Sequence, residues 1–357
     1  MNKLMSMVVL PSALLGLLGC SYAPYRTADL SQNPAVARWE VMSPPDAQMI
    51  HQDVDAVHEG DDVLRASEVG RHRIQDVELE AGDTFSVKYH RSLFYPAPNV
   101  SIPVEFPNGR EYVAYLDTGY AGNVLVTGDV VLANELPIRP VEGGVFSGAC
   151  RISELKVGSA CLEDATAEYD ERQWQLRILN VPVYRHPAVI LGLGFISSFD
   201  YVLFDNVNEE VVFSKAGAFQ PANPELWRSY RFQMGHDRTA DERIIVLAPI
   251  NGLTCPLVFD SCGHEPGLIL RQAYWRIVER HLQVERLRQS HYYKYQDGRL
   301  PCQIATVSNM SIGETVLGEA EILIPDDPES TSLISLSYFQ DTVVVLDFVN
   351  KLMWIRS

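Results

Sequence analysis

Pro107-Asn108-Gly109 is followed by Tyr112-Val113-Ala114-Tyr115-Leu116-Asp117-Thr118-Gly119. The same plan returns as Ile250-Asn251-Gly252 followed by Pro256-Leu257-Val258-Phe259-Asp260-Ser261-Cys262-Gly263. In both copies the aspartate stands nine residues after the asparagine of an Asn-Gly pair. Asn-Gly is a strong hairpin signal because both residues tolerate positive φ, so each stretch predicts a tight turn that delivers an apolar strand ending in a carboxylate. One carboxylate per copy is the arrangement of a two-carboxylate active site made by duplication.

The repeat continues downstream. Ile190-Leu191-Gly192-Leu193-Gly194-Phe195 leads to Phe199-Asp200-Tyr201-Val202-Leu203-Phe204-Asp205-Asn206-Val207-Asn208 and then Val211-Val212-Phe213. Leu333-Ile334-Ser335-Leu336-Ser337-Tyr338-Phe339 leads in the same way to Asp341-Thr342-Val343-Val344-Val345-Leu346-Asp347-Phe348-Val349-Asn350 and Leu352-Met353-Trp354-Ile355. Each copy closes with an apolar run, a strand, an Asp-x-Val-Asn turn and a final strand. Asp205 and Asp347 read as turn formers, since an Asp side chain accepts hydrogen bonds from backbone just ahead of it. The period is too long for a solenoid and predicts two homologous lobes.

These residues resemble the pepsin and retropepsin class of aspartic peptidases, in which a hydrophobic strand ends in Asp-Thr-Gly or Asp-Ser-Gly and a hydrophobic-hydrophobic-Gly segment follows. Asp117-Thr118-Gly119 and Ile190-Leu191-Gly192 match that pattern; in the second copy Cys262 takes the third position of the triplet and Ser335 replaces the glycine after Leu333-Ile334. The resemblance covers roughly residues 85 to 357. It implies a mostly β fold of two homologous pepsin-like barrel lobes, here 85–227 and 228–357, with the polar stretch Arg228 to Arg243 as the joint. It also implies that Asp117 and Asp260 are the catalytic pair of an aspartic endopeptidase, and that Thr118 and Ser261 brace the two loops across the lobe interface. Gly119, and Gly263 in a rearranged second loop, would let the backbone pass close to the carboxylates. Two such carboxylates share one proton, one acting as base toward a water and the other as acid toward the scissile carbonyl. No metal and no cofactor is required, and the expected partner is a peptide or protein substrate.

Glu142-Gly143-Gly144-Val145-Phe146-Ser147-Gly148 sits where a closing flap would, with Gly143, Gly144 and Phe146 as its candidate residues; an ordinary loop has the same glycines. His291-Tyr292-Tyr293-Lys294-Tyr295-Gln296-Asp297-Gly298 either lines a cleft or packs on the sheet. Arg271 to Gln289 reads as an amphipathic helix, with Ala273, Trp275 to Ile277 and Leu282 at apolar positions. Cys255, Cys262 and His264 lack paired metal-ligand spacing, and no Gly-x-Ser-x-Gly elbow or phosphate-binding glycine loop occurs. A rival from another class keeps the same fold as a non-catalytic peptide-binding or envelope-assembly lipoprotein, with Asp-Ser-Cys-Gly as a degraded loop.

The N-terminus reads separately. Lys3 precedes an apolar run from Leu4 to Leu18, and Leu17-Leu18-Gly19-Cys20 ends it with a small residue before a cysteine. This is similar to a bacterial lipoprotein signal, which makes 1–19 a signal peptide and Cys20 the lipidated first residue of the mature chain. Ser21 in the next position fits sorting to the outer membrane, facing the periplasm. Residues 20–84 then form the lipid anchor and a proline-rich, acidic tether with a short helix around Asp46 to Val57. A net charge of −17 argues against nucleic acid as a partner, because a phosphate backbone would be repelled. In an oxidising periplasm the remaining cysteines suggest a Cys255–Cys302 bridge in preference to Cys150–Cys161, with Cys262 free.

Overall fold

The structure is a computed structural model that describes residues 64–65, 77–80, 82–89, 100–139, 141–142, 148–170, 175–178, 181–185, 189–236, 242–263, 267–294, 298–328 and 330–356. The signal, Cys20, the helix expected around Asp46, the flap residues Gly143, Gly144 and Phe146, and His264 lie outside these residues.

Lobe one contains β1 (Thr84–Lys88), β2 (Ser101–Glu105), β3 (Glu111–Asp117), β4 (Val124–Thr127), helix α1 (Gly128–Ala133), β5 (Gly148–Val157), β6 (Ala160–Asp170), β7 (Val189–Gly192), helix α2 (Leu193–Ile196), β8 (Tyr201–Asp205) and β9 (Glu210–Ser214). Lobe two contains β10 (Trp227–His236), β11 (Glu242–Ile250), β12 (Leu253–Asp260), β13 (Leu268–Ile269), helix α3 (Gln272–Val278), β14 (Val284–Lys294), β15 (Gly298–Ile312), β16 (Thr315–Pro325), β17 (Leu333–Ser335), β18 (Val343–Asp347) and β19 (Leu352–Arg356).

Both lobes close into a barrel with one strand order. In lobe one it runs β5-β6-β4-β7-β3-β2 and returns to β5; in lobe two it runs β15-β16-β13-β17-β12-β11 and returns to β15. The directions match as well. β7 is parallel to β3 and antiparallel to β4, as β17 is parallel to β12 and antiparallel to β13. Closure removes the open sheet edges that a flat β lobe would expose. The barrels are filled by inward residues such as Ile102, Leu116, Ile152 and Leu162 in lobe one and Val246, Leu257, Phe259 and Ile322 in lobe two, all inaccessible to solvent. A mostly β fold of two homologous barrel lobes, as the resemblance implies, is thus present.

The lobes join through six antiparallel strands in the order β1-β9-β8-β18-β19-β10, three from each lobe. The central register is itself two-fold: Tyr201 faces Asp347, Leu203 faces Val345, and Asp205 faces Val343. Because Tyr201 and Val343 are equivalent in the repeat, as are Asp205 and Asp347, the axis passes through the Leu203–Val345 pair. The strands leave through matching turns. Asp205 Oδ1 accepts from the amides of Val207 and Asn208 (3.1 and 2.8 Å), and Asp347 Oδ1 from those of Val349 and Asn350 (both 3.0 Å). Glu209 and Lys351, each four residues after its aspartate, both have positive φ.

Several expected elements differ. Arg228 to Arg243 is not a joint: most of it lies in β10 and β11, where Tyr230 and Phe232 alternate inward and their polar neighbours outward. Charged outward residues made a half-buried strand look like a linker. The helix expected over Arg271 to Gln289 ends at Val278, a 3₁₀ turn spans Glu279–His281, and β14 takes over at Val284. Leu64–Arg65 pairs with Val141–Glu142, and Val77–Glu78 with β6, so parts of the expected tether are strands against lobe one. Cys255 and Cys302 are both buried and unbridged. Cys255 belongs to the main core, whereas Cys302 packs with Ile304 and Leu323 in a separate cluster, so neither thiol is offered to the other.

Candidate active site

β3 and β12 lie in the walls of their barrels, between β7 and β2 and between β17 and β11, and end side by side at the lobe seam, carrying Asp117 and Asp260. Each strand is apolar to its last residue because it is buried on both sides: Ala114, Tyr115 and Leu116 precede Asp117, and Leu257, Val258 and Phe259 precede Asp260. The aspartates are the first residues to emerge, and both are part-exposed.

The turns after them are locked across the seam by reciprocal bonds. The Thr118 amide donates to Ser261 Oγ (2.9 Å) and the Ser261 amide donates to Thr118 Oγ1 (2.9 Å). Thr118 Oγ1 in turn donates to the Phe259 carbonyl (3.0 Å), and Ser261 Oγ to the Leu116 carbonyl (2.6 Å). Thr118 and Ser261 are buried. Each hydroxyl therefore accepts from one buried amide and donates to one carbonyl of the other lobe, as buried backbone groups require.

Each carboxylate is oriented by its own turn. Gly119 donates its amide to Asp117 Oδ1 (2.8 Å), and Cys262 donates its amide to Asp260 Oδ1 (2.9 Å). The two carboxyl groups face each other across the seam, close enough for the charge of Asp260 to act on Asp117. A β-carbon on Gly119 would stand 2.8 Å from Asp260 Oδ2 and 3.0 Å from Asp117 Oδ1, so only glycine fits over the pair. Burial, and next the charge of Asp260, push the Asp117 carboxyl up to about 7; the Gly119 amide and the Arg243 guanidinium pull the other way. The upward causes win, as expected for carboxylates too close to ionise together. Burial, and next the charges of Asp117 and Asp260, hold the Cys262 thiol well above its ordinary value, so it remains a donor to the Leu116 carbonyl (3.2 Å).

The two departures in lobe two fit each other. In lobe one the loop carries the side chains and the facing turn carries glycine: Tyr120 lies over Gly192, and Asn123 over Gly194. Lobe two reverses this. Gly263 faces Ser335, and Gly267 faces Ser337, each at a distance where a β-carbon on the glycine would collide (2.7 and 2.6 Å). β12 and β17 place Ser335 in register with Asp260, as β3 and β7 place Gly192 in register with Asp117. Cys262 and Ser335 each look like the loss of a glycine when taken singly; with Gly263 they are one exchange, in which the bare residue moves from the facing turn to the loop and Ser335 packs against it. That relation was visible in the sequence as a glycine displaced by one residue, but only if both departures were taken together. The Leu116 and Phe259 carbonyls, which complete the brace, have no side-chain signal at all.

The other expected site residues are placed as follows. Cys255 and Cys302 lie away from the seam in the cores described above. Tyr292 packs on the Cys302 cluster and its hydroxyl meets Ser330 Oγ at 3.2 Å, so this part of the aromatic tract covers the sheet. Among the described residues no group of three His, Cys, Asp or Glu residues could hold a metal ion.

No protein-family model matches the chain, and none of the curated proteins compared with it does. Among solved structures it is similar to basic 7S globulin from soybean, with a TM-score of 0.41 and 7% identity over 77% of this chain and 94% of that one. It is similar to conglutin gamma, a basic 7S globulin from lupine seeds, with a TM-score of 0.43 and 9% identity over 77% and 95%. A retropepsin-like aspartic protease from Rickettsia conorii matches 37% of this chain and 89% of its own, with a TM-score of 0.26 and 11% identity.

Proposed function

We propose that this chain is a lipid-anchored aspartic endopeptidase of the bacterial cell envelope, with Asp117 and Asp260 as its catalytic pair. The observation that carries the reading is the pair itself: two carboxyl groups facing each other at the lobe seam, each oriented by the amide two residues on. With one proton between them, the ionised carboxylate takes a proton from a water, whose oxygen attacks the scissile carbonyl carbon. The protonated carboxyl gives its proton to the carbonyl oxygen, forming a neutral gem-diol. Collapse then breaks the C–N bond as the amine nitrogen is protonated and a diol hydroxyl returns its proton to the pair, which regains its starting state. The lack of a β-carbon at Gly119 lets its backbone lie against the pair without colliding with Asp260 Oδ2.

The second reading, a non-catalytic peptide-binding or assembly lipoprotein, draws on the Cys262 side chain, which stands at the pair where lobe one has only Gly119. A mixed peptide library incubated with the full-length protein from acidic to neutral pH separates the two. The peptidase reading expects cleavage by wild type, and loss of at least about a thousandfold in Asp117→Asn and in Asp260→Asn alike, because the pair works as one unit. Cleavage that survives Asp260→Asn refutes the mechanism, and an inert wild type supports the binding protein.

The same proposal places the enzyme on the outer membrane through lipid on Cys20, facing the periplasm. Among the described residues no helix is long and apolar enough to cross a membrane. Cys20→Ala should accumulate as an unprocessed precursor, and a variant processed and located like wild type would remove the anchor from the proposal.

A further inference from the structure

The turns that carry the two carboxylates are held by different chemistry. In lobe one the turn closes through the Tyr120 amide on the Asp117 carbonyl (3.1 Å), and the Tyr120 carbonyl accepts from the Leu193 amide (2.7 Å). Both bonds are backbone to backbone and need no side chain from the facing turn. In lobe two the closing bond from the Gly263 amide to the Asp260 carbonyl is longer, 3.4 Å, and correspondingly weaker. The Gly263 carbonyl, equivalent to that of Tyr120, accepts instead from Ser335 Oγ at 2.9 Å. Ser335 Oγ is itself fixed, accepting from the Ser337 amide (3.2 Å) and meeting Ser337 Oγ at 3.1 Å, and Ser335 has no solvent exposure. A side chain thus supplies in lobe two the bond that the backbone supplies in lobe one.

We propose that Ser335 is a positioning residue for the second carboxylate: its hydroxyl holds the Asp260-Ser261-Cys262-Gly263 turn through the Gly263 carbonyl and so keeps the Cys262 amide aimed at Asp260. The kinetic consequence rests on the peptidase reading; the geometric one does not. Ser335 is polar where the lobe-one equivalent is bare because the turn beside it has a weak closing bond and a glycine with room for the hydroxyl. The dyad is therefore supported unequally, with Asp117 on a backbone mount and Asp260 on a side-chain mount.

The test compares wild type, Ser335→Ala and Ser335→Gly, with Ser337→Ala as a control that leaves the Gly263 bond in place. Amide hydrogen exchange at Cys262 and Gly119, followed in one spectrum, needs no substrate. In both Ser335 variants the Cys262 amide should lose protection by about tenfold or more while Gly119 changes by less than about twofold. In the peptide assay kcat should fall roughly 10- to 100-fold with KM within about twofold, the signature of a misplaced reacting group. Ser337→Ala should keep Cys262 protection close to wild type. Unchanged Cys262 protection in Ser335→Ala, or equal loss at Gly119, overturns the proposal and makes Ser335 a packing residue. If wild type cleaves nothing, the peptidase reading falls, and the exchange data alone decide the role of Ser335.

Discussion

Thr118 and Ser261 show how much a single hydroxyl does at the seam. Each accepts one amide from the opposite turn and donates to one carbonyl of the opposite strand, so removing the Thr118 hydroxyl leaves the buried Ser261 amide an orphan and takes a bond from the Phe259 carbonyl. Such an orphan costs about 1–3 kcal/mol, more than the roughly 0.5–1.5 kcal/mol net value of a hydrogen bond. Thr118→Val keeps the shape and deletes the hydroxyl, so denaturant unfolding should show a loss of about 1–3 kcal/mol, with cleavage reduced beyond what the stability loss explains. A variant as stable as wild type would mean that the cross-lobe bonds are not what hold the turns. The positions of these residues were legible from the triplets alone. The acceptors on Leu116 and Phe259 were not, because backbone carbonyls have no sequence signature.

Among the elements, the clearest signature of duplication is a pair of glycines that no catalytic motif contains. Gly158 and Gly313 follow the last residues of β5 and β15, and both have φ of 59°. A β-carbon on Gly158 would stand 2.8 Å from the Phe85 ring of β1, and one on Gly313 would stand 2.3 Å from the hydroxyl of Tyr230 on β10. The same barrel turn therefore presses on the same strand of the joining sheet in each lobe. Gly313→Ala should combine left-handed strain with overpacking and lose about 2–4 kcal/mol in a denaturant titration. Gly252→Ala, with φ of 82° but nothing within 4 Å, should lose only about 1 kcal/mol from strain. Equal losses would show that contact with Tyr230 contributes nothing.

Strand periodicity and turn chemistry were enough to find β3, β12, β8, β18 and both Asp-x-Val-Asn turns. They failed where outward faces were highly charged, as in β10, and where a true helical start at Gln272 ran on into a strand whose polar residues mimicked a helix face. A single sequence records which residues are apolar, not which surface will cover them. The Cys255–Cys302 bridge failed for a related reason: chain position did not reveal that the two thiols enter different packing clusters.

At the scale of the molecule, the two barrels are two copies of one solution, and the joining sheet turns them about an axis through Leu203 and Val345. That axis gives the carboxylates their proximity: a strand end buried in each barrel is brought by symmetry to the same seam. Neither lobe alone holds a shared proton, and neither braced turn is complete without the other. The expectation of one carboxylate per copy was legible from the repeat, whereas the exchange of glycine and serine between loop and turn needed both lobes in view.

The central claim is that Asp117 and Asp260 bind one proton between them over a wide pH range, and carbon-13 carboxyl titration of labelled protein measures this directly. With the Asp117 carboxyl raised to about 7, the folded pair holds a proton that two ordinary aspartates would have lost near 3.8. Stability assigned to that proton is present in full below 3.8 and is lost as pH rises from there through about 7; activity, which needs the singly protonated pair, falls at the upper end of the same interval. Wild type should show two separated titration steps, the upper near neutrality, and Asp260→Asn should leave a single Asp117 step below that upper one, since the partner's charge is gone while burial remains. Two overlapping steps near 4 in wild type, with neither aspartate responding to removal of the other, would contradict it.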